Sequence, residues 1–341
     1  MAVFHWLYTE GMRFGFLITF ALTLTLPVAA VAQSLGGLGS TDSFTFSLSP
    51  QYPTPHSQAT LSFVSGSVDL ANATVAVSVA GKNIYNGSVQ PLAIALGGAG
   101  SLTTIKVIVT SNATNYSQTL TVQPQDVALV VEPISSAPPL YPGKSLVPLE
   151  GSVRVVAVAH VRSAGGKVFD PSALSYTWTI DGTQIINSSG IGKETVIVAS
   201  PLQYRARKVS VAVTSQDGNL AGGASLSLTA ALPSVRIYEN DPLLGILYDR
   251  ALSGAFTIRG AEVTLYAAPF SLPTTNGTPL MQWFLNGTAA QTGNFITLRP
   301  TGSGKGNASL SLVASSDTST KVTTNLSLLF GATAGSNFFG L

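Results

Sequence analysis

The sequence predicts an all-β protein built as three consecutive two-sheet sandwiches. Three observations carry this. Runs such as Ser43-Phe44-Thr45-Phe46-Ser47-Leu48, Val209-Ser210-Val211-Ala212-Val213 and Ala308-Ser309-Leu310-Ser311-Leu312 alternate polar and apolar residues. That pattern buries one face of a strand and wets the other. Clusters of Gly, Ser, Asn and Pro punctuate the runs, as sandwich turns require. Finally, a pair of markers returns every ~100 residues, the size of one sandwich.

The first marker is a strand running into a turn: Val77-Ser78-Val79-Ala80-Gly81, Trp178-Thr179-Ile180-Asp181-Gly182 and Trp283-Phe284-Leu285-Asn286-Gly287. The second follows each in the same order: Val109-Thr110-Ser111, Val213-Thr214-Ser215 and Val313-Ala314-Ser315. These place units at 33–125, 126–231 and 232–331. Junctions fall near Gln123-Pro124-Gln125-Asp126 and Ala231-Leu232-Pro233. Both connections are short, so a semi-rigid rod is expected rather than beads on a flexible string. Gln33 to Thr41, rich in Gly and Ser, reads as a flexible lead-in.

Residues 1–32 read as a signal peptide. Arg13 precedes an apolar run from Phe14 to Leu26, Pro27 breaks it, and Ala30-Val31-Ala32 offers a small-x-small cleavage pattern. The run is short for a membrane span, which needs about 20 residues. Met12 offers an alternative start. No later apolar run reaches membrane length, and the tail 332–341 shows no sorting motif or anchor. A secreted or cell-surface protein with no transmembrane span after cleavage is expected. Composition narrows the class further. Hydrophobic residues make up 45% of the 341, ample for buried cores, and charged residues only 9%. With 17 Lys and Arg against 15 Asp and Glu, the field is too weak for a nucleic-acid partner. The absence of cysteine excludes disulfides, thiol catalysis, Cys-ligated zinc and lipid attachment through an N-terminal cysteine.

Tyr176-Thr177-Trp178-Thr179-Ile180-Asp181-Gly182 resembles the third-strand signature of Ig-like and PKD-like domains, and Trp283 with Asn286-Gly287 resembles it too. In those folds the Trp sits mid-core and the Asp-Gly or Asn-Gly starts a turn; the first unit has Val77 instead. With no disulfide pair and no tyrosine corner before Val211 or Val213, bacterial modules are the closer match. The mature chain also resembles a family of uncharacterised secreted multi-domain proteins from candidate-phylum, Patescibacteria-type bacteria. The segments that carry this are Tyr238-Glu239-Asn240-Asp241-Pro242-Leu243-Leu244-Gly245-Ile246-Leu247-Tyr248 and Pro138-Pro139-Leu140-Tyr141-Pro142-Gly143-Lys144. That resemblance implies an envelope-exposed β protein and brings no catalytic residues.

Signals for chemistry are sparse. Beyond the leader only His56 and His160 remain, and a catalytic triad needs a histidine held between nucleophile and acid. No G-x-S-x-G elbow or H-E-x-x-H motif occurs. Gly302-Ser303-Gly304-Lys305-Gly306 lacks phosphate-loop spacing and reads as a loop between strands. Glu239, Asn240, Asp241 and Asp249 offer hard oxygen ligands near the second junction, a candidate calcium set. The same stretch also suits a plain turn at Asn240-Asp241-Pro242, with Leu243 to Tyr248 packing across the junction. Arg205, Arg207 and Lys208 form a small basic patch, either a contact for anionic polymer or a solvated loop. Tyr141, among prolines, is either an exposed aromatic for glycan or protein, or a cap on the second unit. Trp178 and Trp283 should fill cores. Nine Asn-x-Ser/Thr sequons occur; a eukaryotic secretory route would glycosylate several, while the bacterial resemblance favours their arising by chance in a chain this rich in those residues.

The reading that follows is a secreted, non-enzymatic structural or adhesive protein without cofactor. Its partners would be envelope or surface proteins, pilus components or further copies of itself, met through sheet edges and loops. The alternative is an extracellular glycan- or peptidoglycan-binding module using loops such as Pro138–Lys144.

Overall fold

The computed structural model describes residues 44–139, 141–301, 305–316 and 320–331. The expected signal peptide, the lead-in 33–41, the tail 332–341 and Gly302 to Gly304 lie outside them. No helix among the described residues is long and apolar enough to cross a membrane.

Strands dominate, as the alternation requires. The first sandwich contains β1 (Phe44–Ser49), β2 (Gln58–Ser65), β3 (Thr74–Val79), β4 (Lys82–Ser88), β5 (Leu92–Ala95), β6 (Thr103–Ser111) and β7 (Thr114–Val122). Its sheets run β1-β2-β5 and β4-β3-β6-β7. The second contains β8 (Asp126–Pro133), β9 (Ser152–His160), β10 (Ser175–Ile180), β11 (Thr183–Gln184), β12 (Gly190–Ile191), β13 (Thr195–Ala199), β14 (Ala206–Thr214) and β15 (Ala221–Thr229). It repeats the plan as β13-β9-β8 and β11-β10-β14-β15. The third contains β16 (Ser234–Asp241), β17 (Gly245–Ile246), β18 (Gly254–Ile258), β19 (Val263–Phe270), β20 (Leu280–Leu285), β21 (Thr288–Thr292), β22 (Phe295–Leu298), β23 (Gly306–Ser315) and β24 (Lys321–Phe330). Here the first strand divides. β16 stays antiparallel to β19 in one sheet, while β18 crosses over and pairs parallel with β24 in the other. This is the two-sheet arrangement of immunoglobulin-like domains.

Each sandwich closes on its own interior. One core gathers residues from Phe44 to Val122, another from Val127 to Leu228, a third from Val235 to Leu328. Trp178 and Trp283 are fully buried, and their indole N–H groups donate to the carbonyls of Lys193 and Gly293 at 2.8 and 2.9 Å. A buried indole needs such an acceptor. Val77, also fully buried, takes the equivalent place in the first core, paired with Val107 as Trp178 is with Val211 and Trp283 with Leu312.

The turns after these strands are equally alike. Ala80, Asp181 and Asn286 each have φ 49°, followed by Gly81, Gly182 and Gly287 at φ 80–84°. Two successive positive φ values define the type I′ hairpin turn, in which Asp-Gly and Asn-Gly are favoured. Asp181 Oδ1 also accepts the Lys208 N–H (2.8 Å), and Asn286 Oδ1 the Ser309 N–H (2.9 Å). Ala80 has no side-chain acceptor for that role.

One expectation is corrected. Leu243 to Tyr248 does not pack across the junction. β17 folds back on β16 in the same sheet, and Ile246 and Tyr248 cover Tyr238, Tyr266 and Ala268 on that sheet's outer face. The outward residues of β16 and β19 are aromatic there and need a cover. Leu243 and Leu244 project outward instead, 93% and 78% exposed.

Candidate functional site

The first junction is closed by side chains. Gln125, 2% exposed, donates through its amide to the Arg162 carbonyl (3.0 Å) and accepts the Arg162 N–H (2.7 Å). The side chain thereby imitates one rung of a strand ladder. Gln123 Nε2 donates to the same Arg162 carbonyl at 3.3 Å, and also to the Gly100 carbonyl of its own sandwich at 2.9 Å. Tyr52, from the β1–β2 connection, lies over β15 of the second sandwich. A Cβ at Gly223 would stand 2.5 Å from Tyr52 Cδ2 and 2.6 Å from the Val211 carbonyl. Only glycine admits the ring, and burial raises the Tyr52 hydroxyl pKa above its ordinary value.

The second junction is closed by main chain. Ser136 N–H donates to the Leu272 carbonyl (2.8 Å), and Ser271 N–H to the Ser136 carbonyl (3.0 Å). Thr274 N–H reaches the Ile134 carbonyl (3.2 Å). Ser136 Oγ also accepts the Leu272 N–H at 3.1 Å. The connection between β8 and β9 thus adds a short ladder to the third sandwich. Tyr141, in the same connection, meets the Phe270 ring edge-on, centroids 5.3 Å apart.

Beside the first junction lies a cleft of about 650 Å³ containing His56, His160, Asp126 and Arg162. His160 Nδ1 is 3.7 Å from Asp126 Oδ2, with both side chains more than half exposed. Among the described residues neither imidazole is hydrogen-bonded to a hydroxyl.

A deeper groove, about 740 Å³, opens in the third sandwich where the chain crosses from β16 to β18. Arg250 and Ser253 line it from the crossover, Thr257 from β18, Arg259 and Glu262 from the following loop, and Glu239 from β16. Leu252, Phe256 and Ile258 supply an apolar floor. Glu262 is held by Arg299 at 2.6 Å. Arg250, Arg259 and Glu239 have no ion-pair partner among the described residues.

The residues singled out from sequence divide. Glu239 faces this groove. Asp241 does not serve calcium: its Oδ1 accepts the N–H groups of Leu243 and Leu244 at 2.8 and 2.9 Å, and these bonds lower its pKa. Glu239 and Asn240 are neighbours on one strand and so point to opposite faces. Among the described residues no three His, Asp or Glu side chains gather. The set Glu239, Asn240, Asp241 and Asp249 therefore does not fit calcium, which needs six or more converging oxygens. The basic patch is also partly spent. Arg207 Nε pairs with Asp181 at 3.1 Å and its Nη1 donates to the Ala199 carbonyl, while Arg205 and Lys208 stay exposed. Tyr141 lies against Phe270 with 43% of its surface open.

Gln125, Gly223, Arg250 and Arg259 were not legible as functional positions. Single polar or glycine residues in a Ser- and Gly-rich chain carry no pattern. The one available signal was the scarcity of charge, which makes two arginines nine residues apart worth marking.

No family model matches the chain, and no curated protein sequence matches it. Solved tandem-domain structures do. Three N-terminal domains of the bacteriophage RB49 highly immunogenic outer capsid protein match 84% of this chain and 98% of theirs, at 15% identity and TM-score 0.23. The central fibronectin-III array of RIM-binding protein matches 85% of this chain and 96% of its own, at 10% identity and TM-score 0.30. A Bacteroides ovatus protein, SGBP-B, solved with a mixed-linkage heptasaccharide, matches 86% of this chain and 71% of its own, at 12% identity and TM-score 0.21. At such scores the likenesses carry no argument about partner or activity.

Proposed function

We propose that this is a secreted or cell-surface structural protein that holds its sandwiches in fixed register and acts through non-covalent contact. The observation that carries the reading is the closure of both junctions. Sandwiches on a plain linker move relative to one another by default. Here the Gln125–Arg162 pair, the Tyr52 seat on Gly223 and the Ser136–Leu272 ladder oppose that motion. A fixed register suits a spacer or scaffold that presents loops and sheet edges to envelope or pilus proteins, or to further copies of itself.

The test is cross-linking of the exported full-length chain in envelope fractions, with mass-spectrometric identification of its neighbours. Cross-links to surface proteins or to other copies support the reading. Retention of the whole population in the cytoplasm, or turnover of an extracellular substrate that His160→Ala abolishes, overturns it.

A further inference from the structure

We infer that the groove between β16 and β18 is a binding site for an acidic saccharide. This goes beyond the scaffold reading, and either can fail without the other. Three observations converge on it. The volume, about 740 Å³, lies within the range of ligand sites, about 300–1,000 Å³. Its two arginines, Arg250 and Arg259, are exposed and have no carboxylate partner among the described residues. Glu262, the nearby carboxylate that could have neutralised one of them, is already held by Arg299 at 2.6 Å. Charged residues are only 9% of the chain, so two uncommitted guanidinium groups on one groove are a concentrated resource.

The rest of the lining selects among anions. Ser253 provides a hydroxyl that both donates and accepts, and Glu239 provides a free acceptor. A sugar ring presents hydroxyls that need both kinds of partner. Leu252 and Phe256, half-buried at the floor, offer the apolar surface that the C–H face of such a ring covers. The arginines then take the sugar's carboxylate through paired N–H bonds, a geometry lysine cannot supply. An inorganic anion would leave Glu239 and the floor without a role. An acidic peptide has no C–H ring face to cover Leu252 and Phe256.

Calorimetric titration of the full-length chain with tetragalacturonate, cellotetraose and a tetraglutamate peptide tests this. Tetragalacturonate should bind, and the double variant Arg250→Gln/Arg259→Gln should weaken it by about tenfold or more with an unchanged melting temperature. Ser253→Ala should weaken binding without altering its salt dependence, whereas the arginine variants should flatten that dependence. Absence of tetragalacturonate binding, equal binding of cellotetraose, tighter binding of tetraglutamate, or full affinity in the double variant would each overturn the proposal.

Discussion

The two junctions solve one problem with different atoms. At the first, the contact is made by side chains: the Gln125 amide on the Arg162 backbone and the Tyr52 ring on Gly223. At the second, peptide groups of residues 134–136 pair with those of 271–274, and side chains only assist. A main-chain ladder survives most substitutions, because every residue except proline carries the same donor and acceptor. A side-chain lock depends on particular residues. The first junction should therefore be the fragile one, although its connection is the shorter.

The largest expected break is Gly223→Val. The new side chain has no room beside Tyr52 and the Val211 carbonyl, and overpacking of this kind costs about 3 kcal/mol. Because the chain lacks cysteine, nitroxide pairs at Thr119→Cys with Ile197→Cys, and at Ile197→Cys with Thr288→Cys, report each junction cleanly. Gly223→Val should broaden the first distance distribution by electron resonance and leave the second narrow. Equal broadening of both would break the comparison.

Gln125→Ala comes next. It takes away the acceptor of the Arg162 N–H and one of the two donors on the Arg162 carbonyl, and empties a site that is 2% exposed, at a cost of about 2 kcal/mol. Its counterpart Ser136→Ala leaves the buried Leu272 N–H without its acceptor but keeps the three peptide hydrogen bonds of the ladder, costing about 1 kcal/mol. Chemical denaturation of the two variants measures the difference directly; a larger loss for Ser136→Ala would reverse the ranking. Tyr141→Ala should cost less still, about 0.5 kcal/mol, since half-open aromatic edges contribute little.

Alkali should separate the junctions more gently. Burial raises the folded-state pKa of Tyr52 above 10, so its neutral ring stabilises fully below pH 10 and loses that contribution as pH rises through the raised value. The second junction has no such group in its ladder. The first distance should therefore widen above pH 10 while the second holds. Tyr176 and Tyr248, pushed up from 10 to about 12 by burial, withdraw stability progressively across that interval, but neither lies in a junction bond. Acid acts elsewhere. Hydrogen bonds hold the pKa values of Asp69, Asp170, Asp217 and Asp241 below the ordinary carboxylate range. Their contribution is complete above pH ~4 and is lost as pH falls below it. The melting temperature should then drop while both distances persist, because none of the four lies in a junction bond.

The smallest effect is a gain. Ala80→Asn would supply the acceptor that Asp181 and Asn286 already provide, and suits φ 49° better than alanine does. A rise of about 1 kcal/mol is expected in the first sandwich, with neither junction distance changed.

What the sequence determined by itself is local and periodic. Alternation is a property of each strand, so the positions of β1, β6, β14 and β23 and the burial of Trp178 and Trp283 could be read residue by residue. Asp181-Gly182 and Asn286-Gly287 declared their turns because positive φ is a local demand. The tertiary structure alone decided what depends on two distant segments meeting. Gln125 meeting Arg162, Tyr52 finding Gly223, the division of the third sandwich's first strand into β16 and β18, and the convergence of Arg250 with Arg259 and Glu239 leave no periodic trace. Each uses one residue once, and a contact between remote residues has no sequence period to reveal it.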